Sequence, residues 1–292
     1  MKISELLNKD GLFMSFEVFP PKTDTAFESV KKATEKIAEL SPSFVSVTYG
    51  AGGGTSRYTL EIAKNINETT GVPALAHLTC VSSTKETVKE MIEAIHAAGI
   101  ENIMALRGDL TPELENSDRS QWAYRHADEL IEEIKNSGYD FCVGGACYPE
   151  IHPESENQTE DIKHLKSKVD AGCDFLTTQM FFDNNLLYNF LYKIREAGIT
   201  VPVVPGIMPI TNAGQVARAI KLSGSFMPVR FKSLVDKFGS SPDAMKQAGI
   251  AYATDQIIDL YANGIKNVHV YTMNKPDVAA AIQSNVSAIL GK

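Results

Sequence analysis

The sequence predicts a (β/α)8 TIM barrel, and three observations carry that expectation. Eight short β-rich runs alternate with amphipathic helical stretches along the chain. Its 292 residues suit an architecture that typically takes roughly 250. The first strand runs into Pro20, Pro21 and Lys22, where a doubly wound open sheet would normally carry a glycine-rich turn.

In chain order the strand candidates are LFMSFEVF (12–19), FVSVTYG (44–50), PALAHLTC (73–80), NIMALRG (102–108), DFCVGGACY (140–148), CDFLTTQM (173–180), VPVVPGI (201–207) and NVHVYTM (267–273). Each is rich in β-branched, aromatic or alternating apolar residues. Between them lie helical patterns such as ETVKEMIEAIHAAG (86–99), whose final glycine suits a helix C-cap. KSKVDAGCDF and LYKIREAGITV repeat the passage from helix through Ala-Gly to strand. The interval from 208 to 266 is too long for one crossover and must hold extra helices around MPVRFKSLVDKFGSSPDA, between strands seven and eight. No linker-like tract divides the chain, so residues 1–292 read as one domain.

Composition narrows the function. The formal charge of −8 and isoelectric point near 5.3 argue against nucleic acid or an anionic membrane as partner. No run approaches the ~18 apolar residues of a membrane helix, and MKISELLNKD lacks the apolar core of a signal peptide. Cys80, Cys142, Cys147 and Cys173 lie in or beside apolar runs without CxxC spacing. They read as small buried thiols of a cytoplasmic protein.

A barrel places its site at the C-terminal ends of the strands. Polar pairs recur there on one face: Ser15 and Glu17, Ser46 and Thr48, His77 and Thr79, Thr177 and Gln179. The opposite face takes Val45 and Val47, Ala76 and Leu78, Met104 and Leu106, Leu176 and Met180. The upper interior is therefore expected to be polar. Glu17 stands out, because a carboxylate in the run FMSFEVFPPK is costly unless solvated, paired or protonated.

The motifs divide by chemistry. TYGAGGGTSR (48–57) is a phosphate cradle or a permissive turn, matching neither GxxxxGK[ST] nor a first-strand GxGxxG. ALRGDLTP (105–112) brings Arg107 and Asp109 to a strand end around Gly108, as ligand contacts or as a solvated ion pair. CYPEIHPE (147–154) is too poor in ligands at short spacing for a metal centre, even with His77, so no metal is expected. No mid-strand lysine suits Schiff-base chemistry, and no GxSxG elbow is present.

The segments SFEVFPPK, FVSVTYGAGG, HLTC, ALRGD, YPEIHPE, LKSKVDAGCDFLTTQMFFD, VPGIMPI and VHVYTMNK resemble, in order and from 13 to 275, the successive signatures of methylenetetrahydrofolate reductases. The chain is most similar to the short bacterial form. The resemblance implies reduction of 5,10-methylenetetrahydrofolate to 5-methyltetrahydrofolate by NADH or NADPH through bound FAD, supplying one-carbon units for methionine synthesis. It also implies a homo-oligomer. A pterin-binding barrel methyltransferase or a folate-binding protein without flavin is the alternative.

Carried over by residue, the resemblance makes Glu17 the general acid and Asp109 the carboxylate near flavin and folate. Thr48, Tyr49, Ala51, His77, Arg107 and Gly108 match flavin-contact positions, as do Tyr148, His152, Ser155, Asp161 and Lys168. Thr48, Gln179, Gln215, Tyr271 and Lys275 match substrate positions. Four residues depart from the family's pattern. His126 stands in a flavin-contact region where tyrosine is usual. His164 and Ser167 replace Asn and Arg along the helix flanking the flavin phosphates, and Ala219 replaces an aromatic said to pack on the nicotinamide. A general acid working near neutrality must be a carboxyl held protonated, or a histidine. Glu17, read among Phe13, Phe16 and Phe19, is expected to have its pKa raised by burial.

Overall fold

Period-2 alternation supplies eight strands, and they close into one parallel barrel whose seam lies at Pro205. The computed structural model describes residues 1–50, 56–81, 83–110, 118–119 and 122–292, except the side chains of Ser56 and Leu222. The elements are α1 (Ile3–Leu7), β1 (Phe13–Val18), α2 (Phe27–Ala38), β2 (Val45–Val47), α3 (Ser56–Thr70), β3 (Ala74–Thr79), α4 (Lys85–Ala97) and β4 (Asn102–Leu106). Then come α5 (Ala127–Lys135), β5 (Cys142–Cys147), α6 (Gln158–Asp170), β6 (Phe175–Thr178), α7 (Asn184–Glu196), β7 (Val203–Val204) and β8 (Gly206–Ile207). The chain continues through α8 (Gly214–Ser223), α9 (Val229–Phe238), α10 (Pro242–Ala262), β9 (Asn267–Tyr271), α11 (Pro276–Asn285) and α12 (Ser287–Leu290).

Every predicted strand has its counterpart, and α8, α9 and α10 fill the long interval before the last one. The expected strand 201–207 is split. Pro205 has no N–H for the ladder, so β7 pairs with β6 and β8 with β9. The Pro205 carbonyl still accepts from His269 N–H at 2.8 Å, which keeps the seam closed.

The helices start where the sequence offers caps. Thr84 accepts from Thr87 N–H, Asn157 from Glu160 N–H, and Asp183 from Asn185 N–H. Asp183 is thus occupied at the start of α7. Gly249 lies inside α10 because a Cβ there would sit 2.7 Å from the Ile210 carbonyl carbon. The long helix packs that closely on the chain leaving β8.

Outward-facing Met14, Phe16, Val45, Val47, Ile103, Val143, Leu176 and Val270 join the helices in the main core. The inward face changes character along the barrel axis. At the N-terminal end Phe44, Leu75, Met104, Cys142, Phe175 and Val204 pack with Ile3 and Leu7 of α1, which closes that end. Further along the same strands come Ser46, His77 and Thr177, all buried and polar. One reading is corrected here: Met104 and Leu106 face inward, and the outward residues of β4 are Ile103 and Ala105. Their apolar character suggested the core face, but Asn102, two residues before Met104, marks the inward set.

Asn102 ties the closing helix to the barrel. Its side chain accepts from Ile3 N–H at 2.8 Å and donates to the Met1 and Ala74 carbonyls, each at 3.2 Å. Asn102→Ala leaves those buried groups unpaired and should lower the unfolding free energy by about 1–3 kcal/mol. A urea melt with unchanged slope and a lower midpoint is the expected result.

Candidate active site

The strand ends surround a cavity of about 650 Å3. Its floor is built by β1, β2, β3 and β9, whose registers set Glu17 beside Ser46 and Tyr271, and Ser15 beside His269. Glu17 Oε2 lies 3.4 Å from Ser46 Oγ, 3.8 Å from His77 Nε2 and 3.9 Å from His269 Nε2. The side chain keeps 22% exposure, toward the cavity. Its neighbours are therefore polar, and the three phenylalanines expected around it are not its environment. Phe16 points into the outer core, because the pleat sends adjacent side chains to opposite faces, and Phe19, beyond the end of β1, is 37% exposed.

His77 is buried, and its Nε2 has no hydrogen-bond partner. Burial draws its pKa from 6.5 down to about 4, against the opposing pull of Glu17. Tyr271 donates to the Thr178 carbonyl at 2.5 Å, across Gly206. Only glycine leaves room there: a Cβ on residue 206 would stand 2.5 Å from the same carbonyl oxygen. Burial, and next the Glu17 charge, push the Tyr271 phenol well above its usual value.

One wall carries the cations. Arg107 makes a two-pronged pair with Glu154, at 2.5 and 3.0 Å, and this bonding holds the Glu154 carboxyl below the usual range. Gly108 has φ +95° and takes the chain through a turn against Thr79 and Val81. Lys168 Nζ donates to the Ala146 carbonyl at 2.9 Å, and burial lowers its pKa. His152 N–H and Ser155 Oγ both donate to Asp161, which fixes the loop after β5. The His152 ring meets Tyr148 edge-on at 4.6 Å, and Tyr148 in turn bonds Gln179. At the lip, the His126 and His164 rings face each other nearly parallel, with centroids 6.1 Å apart.

Around this cavity the fold gathers Glu17, Asp109, Thr48, Tyr49, His77, Arg107, Gly108, His126, Tyr148, His152, Ser155, Asp161, His164, Lys168, Gln179, Gln215 and Tyr271. Lys275 is not among its lining residues. Its ammonium is held at the rim by Thr211 Oγ1, 2.9 Å away, while Thr211 N–H donates to Gln215 Oε1. Ala51 lies outside the described residues, as does most of the glycine-rich turn. Sequence reasoning missed His269, although it shares the inward face with Tyr271 two residues on. It also missed Arg218 as a lining cation. Among the described residues, no three His, Cys, Asp or Glu side chains are grouped to hold a metal.

The profile of the methylenetetrahydrofolate reductase family matches residues 2–287. The chain belongs to that family. The 5,10-methylenetetrahydrofolate reductase of Pectobacterium carotovorum subsp. carotovorum is 36% identical over 92% of this chain and 88% of the relative. Methylenetetrahydrofolate reductase (NADH) 1 of Zea mays is 34% identical over 99% of this chain, which spans only 50% of that longer protein. A solved Clostridium thermocellum protein, described as binding two copies of 5-methyl-5,6,7,8-tetrahydrofolic acid, superposes over the full length of both chains. Its TM-score is 0.69 at 13% identity, a likeness of fold.

His77 generates a pH prediction. Its folded pKa lies below its unfolded value, so the unfolded chain binds more protons between pH 6.5 and about 4. The contribution is complete above pH 6.5 and is lost as pH falls through that window, by on the order of 3 kcal/mol. Unfolding free energies measured from pH 7 to 4 should show this slope, and His77→Gln should flatten it.

Proposed function

We propose that this protein reduces 5,10-methylenetetrahydrofolate to 5-methyltetrahydrofolate, with NADH or NADPH as electron source and FAD as bound carrier. The observation that carries the reading is Glu17, a carboxyl group at the floor of a deep strand-end cavity in a chain of this family. The reaction opens a five-membered ring, and the leaving nitrogen N10 must receive a proton. Glu17 is the group that supplies it, and Ser46 is placed to donate to the carboxylate that remains.

The cavity suits FAD in size and donor set. Arg107 and Lys168 offer cations for a pyrophosphate, and Gly108 lets a ring approach the backbone. The unpartnered His77 Nε2 offers a buried bond toward a ligand, with Met104 and Leu106 as apolar walls. Thr48, Tyr49, His126, Tyr148 and His164 are assigned to the same cofactor, and the loop after β5 is ordered by His152, Ser155 and Asp161. When bound, FAD carries hydride between the nicotinamide and the folate carbon. Asp109 and Gln179 orient the pterin, and Gln215 and Tyr271 meet the rest of the substrate. Lys275 acts from the rim. A homo-oligomeric cytoplasmic enzyme fits this reading; among the described residues no helix is long and apolar enough to cross a membrane.

The protein should purify yellow and be bleached by NADH or NADPH. Glu17→Gln should leave that bleaching intact, because it needs no proton at N10. Reoxidation by methylenetetrahydrofolate should slow by ~10²–10⁴-fold, the usual loss of a positioned acid. Rapid mixing of each half-reaction separates the two, and wild-type reoxidation by Glu17→Gln would remove Glu17 as the acid. Lys168→Ala should raise the FAD dissociation constant on dilution.

A further inference from the structure

Beneath Glu17 lies a chain of buried polar groups, of which the proposed reaction uses only Ser46. Ser46 Oγ is 2.9 Å from His269 Nε2, and His269 Nδ1 is 2.7 Å from Ser15 Oγ. Ser15 Oγ is also 3.1 Å from the Val268 carbonyl. Ser15, Ser46 and His269 are each at most 1% exposed. We propose that His269 is a positioning residue that acts through Ser46 to match the chain to the protonation state of Glu17. This role rests on the reading of Glu17 as the acid.

Two proton arrangements satisfy every atom of the chain. In the first, Ser15 donates to His269 Nδ1, Nε2–H donates to Ser46, and the Ser46 hydroxyl points at Glu17. That arrangement stabilises a carboxylate. In the second, Ser15 donates to the Val268 carbonyl, Nδ1–H donates to Ser15, and Ser46 donates to Nε2. Ser46 Oγ then presents lone pairs to Glu17, which suits a protonated carboxyl. The histidine tautomer and the direction of one hydroxyl are thereby tied to the acid's proton.

A network built only to satisfy itself would close within the barrel wall. This one ends on the cavity carboxylate through its longest link, the 3.4 Å contact from Ser46 to Glu17. The ring is held for the task by Phe44, stacked at 5.3 Å and 16°, and by Tyr271, edge-on at 5.7 Å. The titratable groups facing it are Glu17 from β1, His77 from β3 and Tyr271 from its own strand.

The test uses the intact FAD-loaded protein in its two half-reactions. His269→Leu and Ser46→Ala should each slow reoxidation by methylenetetrahydrofolate about tenfold or more, the worth of a hydrogen bond to a charged group. Reduction by NADH should stay within about twofold of wild type, which also shows that the variants fold. The double variant should be no slower than the slower single one, and His269→Gln, which keeps an N–H toward Ser46, should recover most of the rate. Multiplying effects, equal losses in both half-reactions, or no recovery with His269→Gln would each overturn the proposal. A second readout needs no turnover. Nitrogen-15 NMR of histidine-labelled wild-type protein should show His269 pass from Nδ1–H to Nε2–H as rising pH ionises Glu17, and keep one tautomer across the same range in Glu17→Leu; one tautomer throughout the wild-type titration overturns it. Wild-type reoxidation by Glu17→Gln sinks the Glu17 reading instead, and is scored independently of every His269 variant.

Discussion

A parallel barrel closes only if its last strand finds a neighbour on each edge, and here that seam runs through a residue that cannot donate. Pro205 splits the seventh strand, leaving Val203–Val204 for β6 and Gly206–Ile207 for β9. Closure then relies on carbonyls: Pro205 accepts from His269, and Thr178 accepts from the Tyr271 hydroxyl through the space a glycine leaves. The residues that hold the seam are thus the residues that face Glu17. Barrel integrity and site geometry share the same few bonds.

The second organising fact is a polarity gradient along the inward face. Phe44 gives way to Ser46, Leu75 to His77, and Phe175 to Thr177, each two residues further along a strand. The apolar layer anchors the barrel, and the polar layer above it would be expensive without internal bonding. Ser46 is bonded there, while His77 Nε2 and Thr177 Oγ1 have no partner and Glu17 opens to the cavity. Those openings are where a ligand gains most from binding.

Much of this was legible in the sequence, because period 2 and turn residues are local signals. All eight strands, the extra helices before the last one, and strand-end residues such as Glu17, His77, Arg107 and Gln179 could be read that way, while Ser155, Asp161, Lys168 and Gln215 came from the resemblance. The failures share a cause. Met104 and Leu106 were assigned by apolarity to the outer face, where the position of Asn102 would have corrected the phase. Glu17 was given phenylalanine neighbours by adjacency along the chain; the pleat turns Phe16 away, and Phe19 lies beyond the end of β1. His269 shows its partners, Ser15 and Ser46, only once β1 lies between β2 and β9, a fact of register across more than 200 residues. Lys275 stands outside the cavity lining, with its ammonium on Thr211 Oγ1.

The small helix α1 has a consequence for traffic. Ile3 and Leu7 stop the lower end of the barrel, so the cavity is a blind well. Among the described residues, anything that touches its floor comes and goes on the strand-end side. Two visitors that both require the floor cannot pass each other there; they have to queue, and the slower departure sets the pace for both.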